Sequence, residues 1–118
     1  MNKSIGKKGE QYAADYLRAL GYEIVRTNYH ILGGEIDIIS RQDGEIVFVE
    51  VKTRRSNRYG LGEESISRTK LRRLNLAMHR YLLQLYWRCD YRLDVITIQM
   101  NSFEEVSNLR HYKNVPVT

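Results

Sequence analysis

The run Ile46-Val47-Phe48-Val49-Glu50-Val51-Lys52 places the strongest constraint on what this chain can fold into. Side chains alternate between the two faces of a strand, and this run is apolar on both faces until Glu50 and Lys52 interrupt one of them. An unpaired charge that faces a core costs several kcal/mol or is neutralised by a pKa shift. We therefore expect both side chains to be paired, bound to a metal or open to a cleft at the carboxyl end of this strand.

Two acidic residues, Glu35 and Asp37, are predicted to lie on one face of the preceding strand-like run. If the two strands pair through a turn at Asp43-Gly44, Asp37 lies opposite Glu50. Neighbouring carboxylates repel each other, and a divalent cation that prefers oxygen ligands relieves the repulsion. The pattern predicts a Mg²⁺ or Mn²⁺ site, where Lys52 can orient or deprotonate a water and balance charge that develops on a phosphate. A buried network of ion pairs is the alternative explanation.

The apolar spacing predicts an α/β fold with elements in the order helix, three strands, helix, strand. The predicted elements are a helix over residues 5–20, strands over 22–29, 35–41 and 45–53, a second helix over 71–85 and a strand over 91–100. Ser4 is expected to cap the first helix and Gly21 to end it, while Ser65 or Ser67 caps the second. The three successive strands are predicted to form an antiparallel meander. The residues after 100 are ambiguous between a last strand and irregular structure.

Composition favours one compact domain over residues 1–118. A chain of 118 residues with 42% hydrophobic residues can bury a core without stabilisation by disulfides or a structural metal. The single cysteine, Cys89, excludes an intrachain disulfide and suits a reducing compartment. Charged residues break up the first twenty residues as a signal-peptide core, and no later stretch approaches a membrane span. We therefore expect a cytoplasmic protein that does not associate with membranes.

Charge is unevenly distributed along the chain. Residues 51–92 carry eleven Lys or Arg against three Asp or Glu, whereas residues 1–50 carry six against eight. A basic stretch beside an acidic one suits a polyanion whose phosphates reach a metal held by carboxylates. A solvated basic helix face explains the charge equally well on its own.

Basic residues that follow Lys52 are candidates for contact with the phosphates that flank a scissile bond. The nucleic-acid-binding candidates are Thr53, Arg54, Arg55 and Arg58 after the strand, and Lys70 and Arg73 at the start of the second helix. A plain solvated loop and a wet helix face are the alternatives. Most tyrosines are expected to pack, and Tyr59 is the candidate for base stacking. Asp94 could be the partner of a basic residue of the site, and a structural role is the favoured interpretation.

At these residues the chain resembles the PD-(D/E)xK nucleases. Asp37, twelve further residues and Glu50-Val51-Lys52 match their core motif, and the predicted element order is similar to their αβββαβ core. A more specific resemblance is to the YraN family of small bacterial proteins, which is related to Holliday-junction resolvases. The matching strings are Gly6-Lys7-Lys8-Gly9-Glu10, Asn28-Tyr29, Gly34-Glu35-Ile36-Asp37, Phe48-Val49-Glu50-Val51-Lys52-Thr53-Arg54, Lys70 and Arg92-Leu93-Asp94-Val95. Ile36 stands where the nuclease motif nominally has proline.

The resemblance implies a restriction-endonuclease-like fold, with a mixed central sheet flanked by helices, and a metal-dependent endonuclease that cuts branched or otherwise structured DNA. It implies that Asp37 and Glu50 ligate the metal and that Lys52 positions the attacking water. It also implies that Glu10 completes the acidic cluster, although Glu10 could equally be solvated or paired with a neighbouring lysine. The product would carry a 5′-phosphate, and resolvase-like relatives suggest a two-fold dimer.

Two other functions compete with a nuclease. One is a non-catalytic module that keeps the nuclease fold and binds nucleic acid without cutting it. The other is a structural or regulatory protein whose acidic cluster only balances internal lysines. Metal uptake and cleavage separate these hypotheses.

Overall fold

Two helices and five strands make up the fold in the computed structural model, which describes residues 3–55, 66–86 and 88–117. The elements are α1 (Lys3–Ala19), β1 (Glu23–Ile31), β2 (Gly34–Gln42), β3 (Glu45–Arg54), α2 (Arg68–Gln84), β4 (Tyr91–Met100) and β5 (Val106–Tyr112). They confirm the predicted α/β class and element order, and the ambiguous residues after 100 include a strand, β5. Ser67 caps α2 by accepting a hydrogen bond from the backbone of Lys70. Ser65 lies outside the described residues.

The strands form one mixed sheet in the order β1-β2-β3-β4-β5. The first three strands are antiparallel neighbours, as the predicted meander requires. β3 and β4 are parallel, and β4 and β5 are antiparallel. A parallel pair needs a long crossover, and α2 lies between β3 and β4 in sequence. β3 therefore occupies the centre of the sheet, as its two apolar faces require.

Each face of the sheet is covered by one helix. The α1 core includes Ala13, Leu17, Val47, Val49 and Ile96, and the α2 core includes Ile46, Phe48, Leu74, Met78 and Leu93. Along β3, odd-numbered residues face α1 and even-numbered residues face α2, so the alternation carries Glu50 and Lys52 to the α2 side. Neither helix within the described ranges is long and apolar enough to cross a bilayer.

Two glycines let the helices approach the sheet closely. A Cβ on Gly9 of α1 would overlap the side chain of Thr53 on β3. A Cβ on Gly34 of β2 would lie 2.6 Å from the backbone oxygen of Arg73 on α2. Each glycine directly precedes a glutamate, so these close contacts also set the positions of two carboxylates.

β2 departs from strict alternation at Asp37. Ile36 and Ile39 pack in the α2 core while Ile38 packs in the α1 core, although residues two apart share a face in a regular strand. Across the β1–β2 pair, Asn28 lies opposite Asp37 with a φ of 52°, in the left-handed region that asparagine tolerates. Strict alternation along β2 therefore assigns Ile36 and Ile38 to the same face of the sheet, whereas they pack on opposite faces.

Candidate metal and nucleic-acid site

Asp37 and Glu50 face each other where the pairing of β2 and β3 ends. The paired register runs to Ile38 opposite Val49, and its next step brings the two carboxylates opposite each other. The backbone N–H of Val51 donates to Asp37 Oδ2 at 2.9 Å. Both side chains are buried, since only 5% of Glu50 and 9% of Asp37 is exposed. This is the juxtaposition that the turn at Asp43-Gly44 predicts.

One proton stays on this pair near neutral pH. Burial, followed by the charge of Asp37, raises the pKa of Glu50 to about 8, and burial also raises the pKa of Asp37. Two neighbouring carboxylates repel each other, and the raised pKa of Glu50 assigns the proton to it. Protonation of Glu50 therefore reduces the repulsion between the two carboxyl groups at neutral pH.

Lys70 of α2 brings a positive charge to the pair. Its Nζ lies 3.5 Å from Glu50 Oε2 and 3.3 Å from Glu35 Oε2. Burial opposes the charge of Lys70, but the neighbouring Glu50 and Asp37 raise its pKa above the usual value. Arg73 Nη2 lies 3.4 Å from Glu35 Oε1. Both basic residues therefore reach into the acidic cluster, as predicted for Lys70.

Glu10 approaches the cluster from α1. Burial, then the charges of Asp37 and Glu35, raise the pKa of Glu10 to about 7. Within the described part of the chain, however, no three His, Cys, Asp or Glu side chains converge closely enough to hold a metal ion. The three-carboxylate set of Asp37, Glu50 and Glu10 is therefore not assembled in this structure.

An unsatisfied oxygen marks the place where a cation would fit. Glu50 Oε1 is buried and has no hydrogen-bond partner among the described residues. Leaving a buried acceptor unsatisfied costs about 1–3 kcal/mol. Mg²⁺ is usually held by one or two protein carboxylates and keeps several waters. The pair of Asp37 and Glu50 is therefore compatible with a hard divalent cation that contacts this oxygen.

Lys52 lies next to the pair along β3. It is half-buried, opposite Thr97 of β4, and on the same face of β3 as Glu50. Two residues of a strand span ~7 Å, so the ammonium group can reach a water or a phosphate at the carboxylates. The role of Lys52 in orienting a water stays a prediction.

Thr53, a predicted phosphate contact, packs inside the protein instead. Its side chain is buried against Gly9 of α1. Odd-numbered residues of β3 face α1, so Thr53 points to the opposite side of the sheet from Glu50. Thr53 therefore does not face a phosphate that approaches Glu50. It supports the contact between α1 and β3.

The other predicted phosphate contacts differ in position. Arg54 and Arg55 are exposed at the carboxyl end of β3, four and five positions beyond Glu50. Arg58 and Tyr59 lie outside the described residues, so their contacts stay predictions. Exposed basic groups at this end of the sheet are suitably placed to meet phosphates that approach the carboxylates.

Glu104 in the turn between β4 and β5 joins two of the basic residues. One of its oxygens pairs with Lys8 Nζ of α1, and the other lies 2.8 Å from Arg55 Nη2. β3 and β4 run parallel, so the turn after β4 lies at the same end of the sheet as the acidic pair. Sequence reasoning missed this cluster because Lys8 and Glu104 are 96 residues apart and share no local pattern.

A second group of buried charges surrounds Asp94 on the α1 side of the sheet. Asp94 accepts hydrogen bonds from Arg92 Nε at 2.9 Å and from the backbone N–H of Asn114 at 3.0 Å. His111 Nε2 lies 2.7 Å from Asp94 Oδ2, and His111 Nδ1 lies 2.9 Å from the hydroxyl of Tyr16. These bonds connect α1, β4, β5 and the segment after β5. Asp94 is thus the partner of a basic residue within a structural network.

The fold and the site define a class of protein. It has a five-stranded mixed α/β sheet with two helices, is compatible with an αβββαβ nuclease-like core, and carries two carboxylates and a lysine at the end of its central strands. A family model described as "Uncharacterised protein family UPF0102" matches residues 9–98. The chain belongs to this family, which is also called the YraN family.

Three relatives show how far the similarity extends, and each carries the name UPF0102 protein. The relative from Caldicellulosiruptor saccharolyticus is 41% identical over 116 residues, which cover 97% of this chain and 98% of the relative. The relative from Herpetosiphon aurantiacus is 36% identical over 120 residues, which cover 98% of this chain and 95% of the relative. The relative from Syntrophomonas wolfei is 48% identical over 82 residues, which cover 70% of this chain and 71% of the relative. The similarity spans most of the fold, and the family name assigns no activity.

Proposed function

We propose that this protein is a metal-dependent endonuclease that hydrolyses phosphodiester bonds in branched or otherwise structured DNA. The single observation that carries the proposal is the buried pair of Asp37 and Glu50, in which Glu50 Oε1 has no hydrogen-bond partner within the described ranges. A carboxylate pair kept only for packing would be replaced at little cost by apolar residues, because buried charges are expensive to hold. Strongly shifted pKa values beside a basic surface are typical of catalytic sites.

The two carboxylates would hold a Mg²⁺ or Mn²⁺ ion, which when bound polarises a phosphoryl oxygen and makes a coordinated water more acidic. Lys52 would orient the attacking water and balance the charge that develops on the phosphate. Glu10 would add a carboxylate from α1. Lys70 lies 3.3 Å from Glu35 Oε2 and would offset the charge of the acidic cluster. Hydrolysis in this arrangement would leave a 5′-phosphate, as the resemblance to nucleases implies.

A non-catalytic nucleic-acid-binding module is the second candidate. It is favoured by the ammonium group of Lys70, which lies 3.3 Å from Glu35 Oε2 and 3.5 Å from Glu50 Oε2 and so balances the acidic cluster. In that case the acidic cluster would serve stability, while Arg54 and Arg55 would bind phosphates.

The test combines metal binding with cleavage. Mg²⁺ and Mn²⁺ are titrated calorimetrically into the wild type and into Asp37→Asn/Glu50→Gln. The same samples are then incubated with labelled duplex, single-stranded and four-way junction DNA. The matched control is Asp15→Asn/Glu23→Gln, which removes two carboxylates whose side chains are 64% and 65% exposed.

We expect the wild type and the control to take up metal and to cut, and the site variant to do neither. The loss should exceed 100-fold in rate, because the metal supplies several kcal/mol of transition-state stabilisation. DNA binding by the wild type without metal uptake or cutting would contradict the nuclease proposal and establish the binding module.

A further inference from the structure

We propose that the sheet end beside the acidic pair contains a seat for an unpaired nucleotide, in which Lys8 and Arg55 bind one phosphate and Phe103 stacks on the base. We call this group, together with Glu104, the nucleotide seat. The inference rests on the proposed function insofar as both require a nucleic-acid ligand. It adds a class of substrate, which is a strand with at least one unpaired nucleotide near the bond that is cut.

Two cations from different elements converge on one anionic group. Lys8 lies on α1, Arg55 follows β3, and each pairs with a different oxygen of Glu104. A phosphodiester presents two anionic oxygens in the same manner, and charged donors bind it through strong hydrogen bonds. The side chains of Lys8 and Arg55 are 54% and 51% exposed, so a ligand can reach both.

Glu104 occupies the position that a phosphate would take. The contact from Lys8, followed by that from Arg55, lowers the pKa of Glu104, so its carboxylate stays ionised. Ion pairs between exposed groups contribute little to stability. Exchange of Glu104 for a phosphate is therefore easy, and Glu104 acts as a removable competitor for the ligand.

The turn that carries Glu104 also presents an aromatic ring. Asn101 Oδ1 accepts hydrogen bonds from the backbone N–H groups of Phe103 at 2.8 Å and Glu105 at 3.0 Å. These bonds define the turn, yet they leave the ring of Phe103 81% exposed. A second exposed aromatic residue, Tyr12, lies one helical turn from Lys8 on α1.

Exposed rings beside a basic group are typical of surfaces that bind single strands. Stacking on an aromatic side chain requires a base that is free of its neighbours, and it tolerates any base because every base has a π-face. Arg55 lies five positions beyond Glu50 along the extended chain, or ~17 Å. The seat therefore holds a different nucleotide from the one whose phosphate lies at the carboxylates.

The first test measures fluorescence anisotropy of labelled single-stranded and blunt duplex oligonucleotides in EDTA, so that neither metal nor cleavage affects the result. We expect Phe103→Ala to weaken single-strand binding roughly 10-fold and to leave duplex binding nearly unchanged. Phe103→Trp should restore it. The control is Tyr86→Ala, because Tyr86 is also 81% exposed but follows the far end of α2. An equal loss in both alanine variants would overturn the role of Phe103.

The second test is Glu104→Gln, which removes the competing charge. We expect single-strand binding to tighten roughly 2- to 5-fold at low salt, with a gain that shrinks as salt is added. Arg55→Ala should abolish this gain. If Glu104 is only a structural link, the variant melts at a lower temperature and binding does not tighten, and the seat is refuted.

The two proposals fail in different ways. Metal-dependent cutting with no response to Phe103→Ala leaves the nuclease and removes the seat. Single-strand binding that depends on Phe103 and Glu104, without cutting at any metal concentration, leaves the seat and removes the nuclease.

Discussion

Glu50 retains a proton at neutral pH because its carboxyl group is buried beside Asp37. Folding raises the pKa of Glu50 from its ordinary value of 4.5 to about 8. Between these values the folded protein binds a proton that the unfolded chain has released, so rising pH favours the unfolded chain. The stabilising contribution is therefore fully present below pH 4.5 and is lost as the pH rises through about 8.

Replacing Glu50 by glutamine should remove this dependence, because glutamine keeps the shape and does not ionise. We expect Glu50→Gln to be more stable than the wild type at pH 9 by a few kcal/mol, with the difference shrinking towards pH 5. Urea unfolding in EDTA at pH 5, 7 and 9 measures the free energy. Glu23→Gln, at a side chain that is 65% exposed, should show no such trend. A difference between wild type and Glu50→Gln that is the same at all three pH values would contradict the burial of this proton.

At the scale of elements, the packing of α1 on β3 positions one side of the site. The contact is close because Gly9 has no side chain where Thr53 fills the space. At Gly6 of the same helix, an added Cβ would have no atom of another described residue within 4 Å. The two glycines share a helical backbone, and only Gly9 contacts the sheet.

Alanine at these two glycines should have opposite effects. Gly9→Ala forces α1 away from β3 and should lower the free energy of unfolding by about 1–3 kcal/mol. Gly6→Ala adds helix propensity without a clash and should raise it by up to about 1 kcal/mol. Thermal and urea unfolding measure both. Thr53→Ala should recover part of the loss in Gly9→Ala, and an additive double variant would show that the clash lies elsewhere.

At the scale of the whole molecule, four elements deliver the charged groups of the site. β2 carries Asp37, β3 carries Glu50 and Lys52, α1 carries Glu10 and α2 carries Lys70. A ligand that contacts several of these groups binds only when the elements are assembled. Metal binding should therefore stabilise the fold as a unit.

Magnesium should raise the melting temperature of the wild type. At 100 times the dissociation constant, a ligand that binds only the folded state adds about 2.7 kcal/mol to the free energy of unfolding. Asp37→Asn should lose this effect because it removes a carboxylate ligand. Scanning calorimetry with and without Mg²⁺ measures the shift, and an equal shift in both proteins would assign it to general ion effects.

Local patterns in the sequence determined much of this protein. The apolar runs and the turn at Asp43-Gly44 specify β2, β3 and their register, because the position of a tight turn fixes which residues of the two strands lie opposite each other. That register alone brings Asp37 opposite Glu50. The sequence pattern could not identify β5. Val106–Tyr112 is an edge strand, and its partly exposed residues show only weak apolar alternation.

Only the tertiary structure decided which groups meet from distant parts of the chain. Lys70 reaches Glu50, and Glu104 links Lys8 to Arg55, through the packing of helices and a turn on the sheet. The same packing buries Thr53 and sets the pKa of Glu50, because both depend on how much water the neighbouring elements exclude. Periodicity and turn chemistry act over a few residues, whereas burial and long-range charge contacts arise only once the whole sheet and both helices are in place.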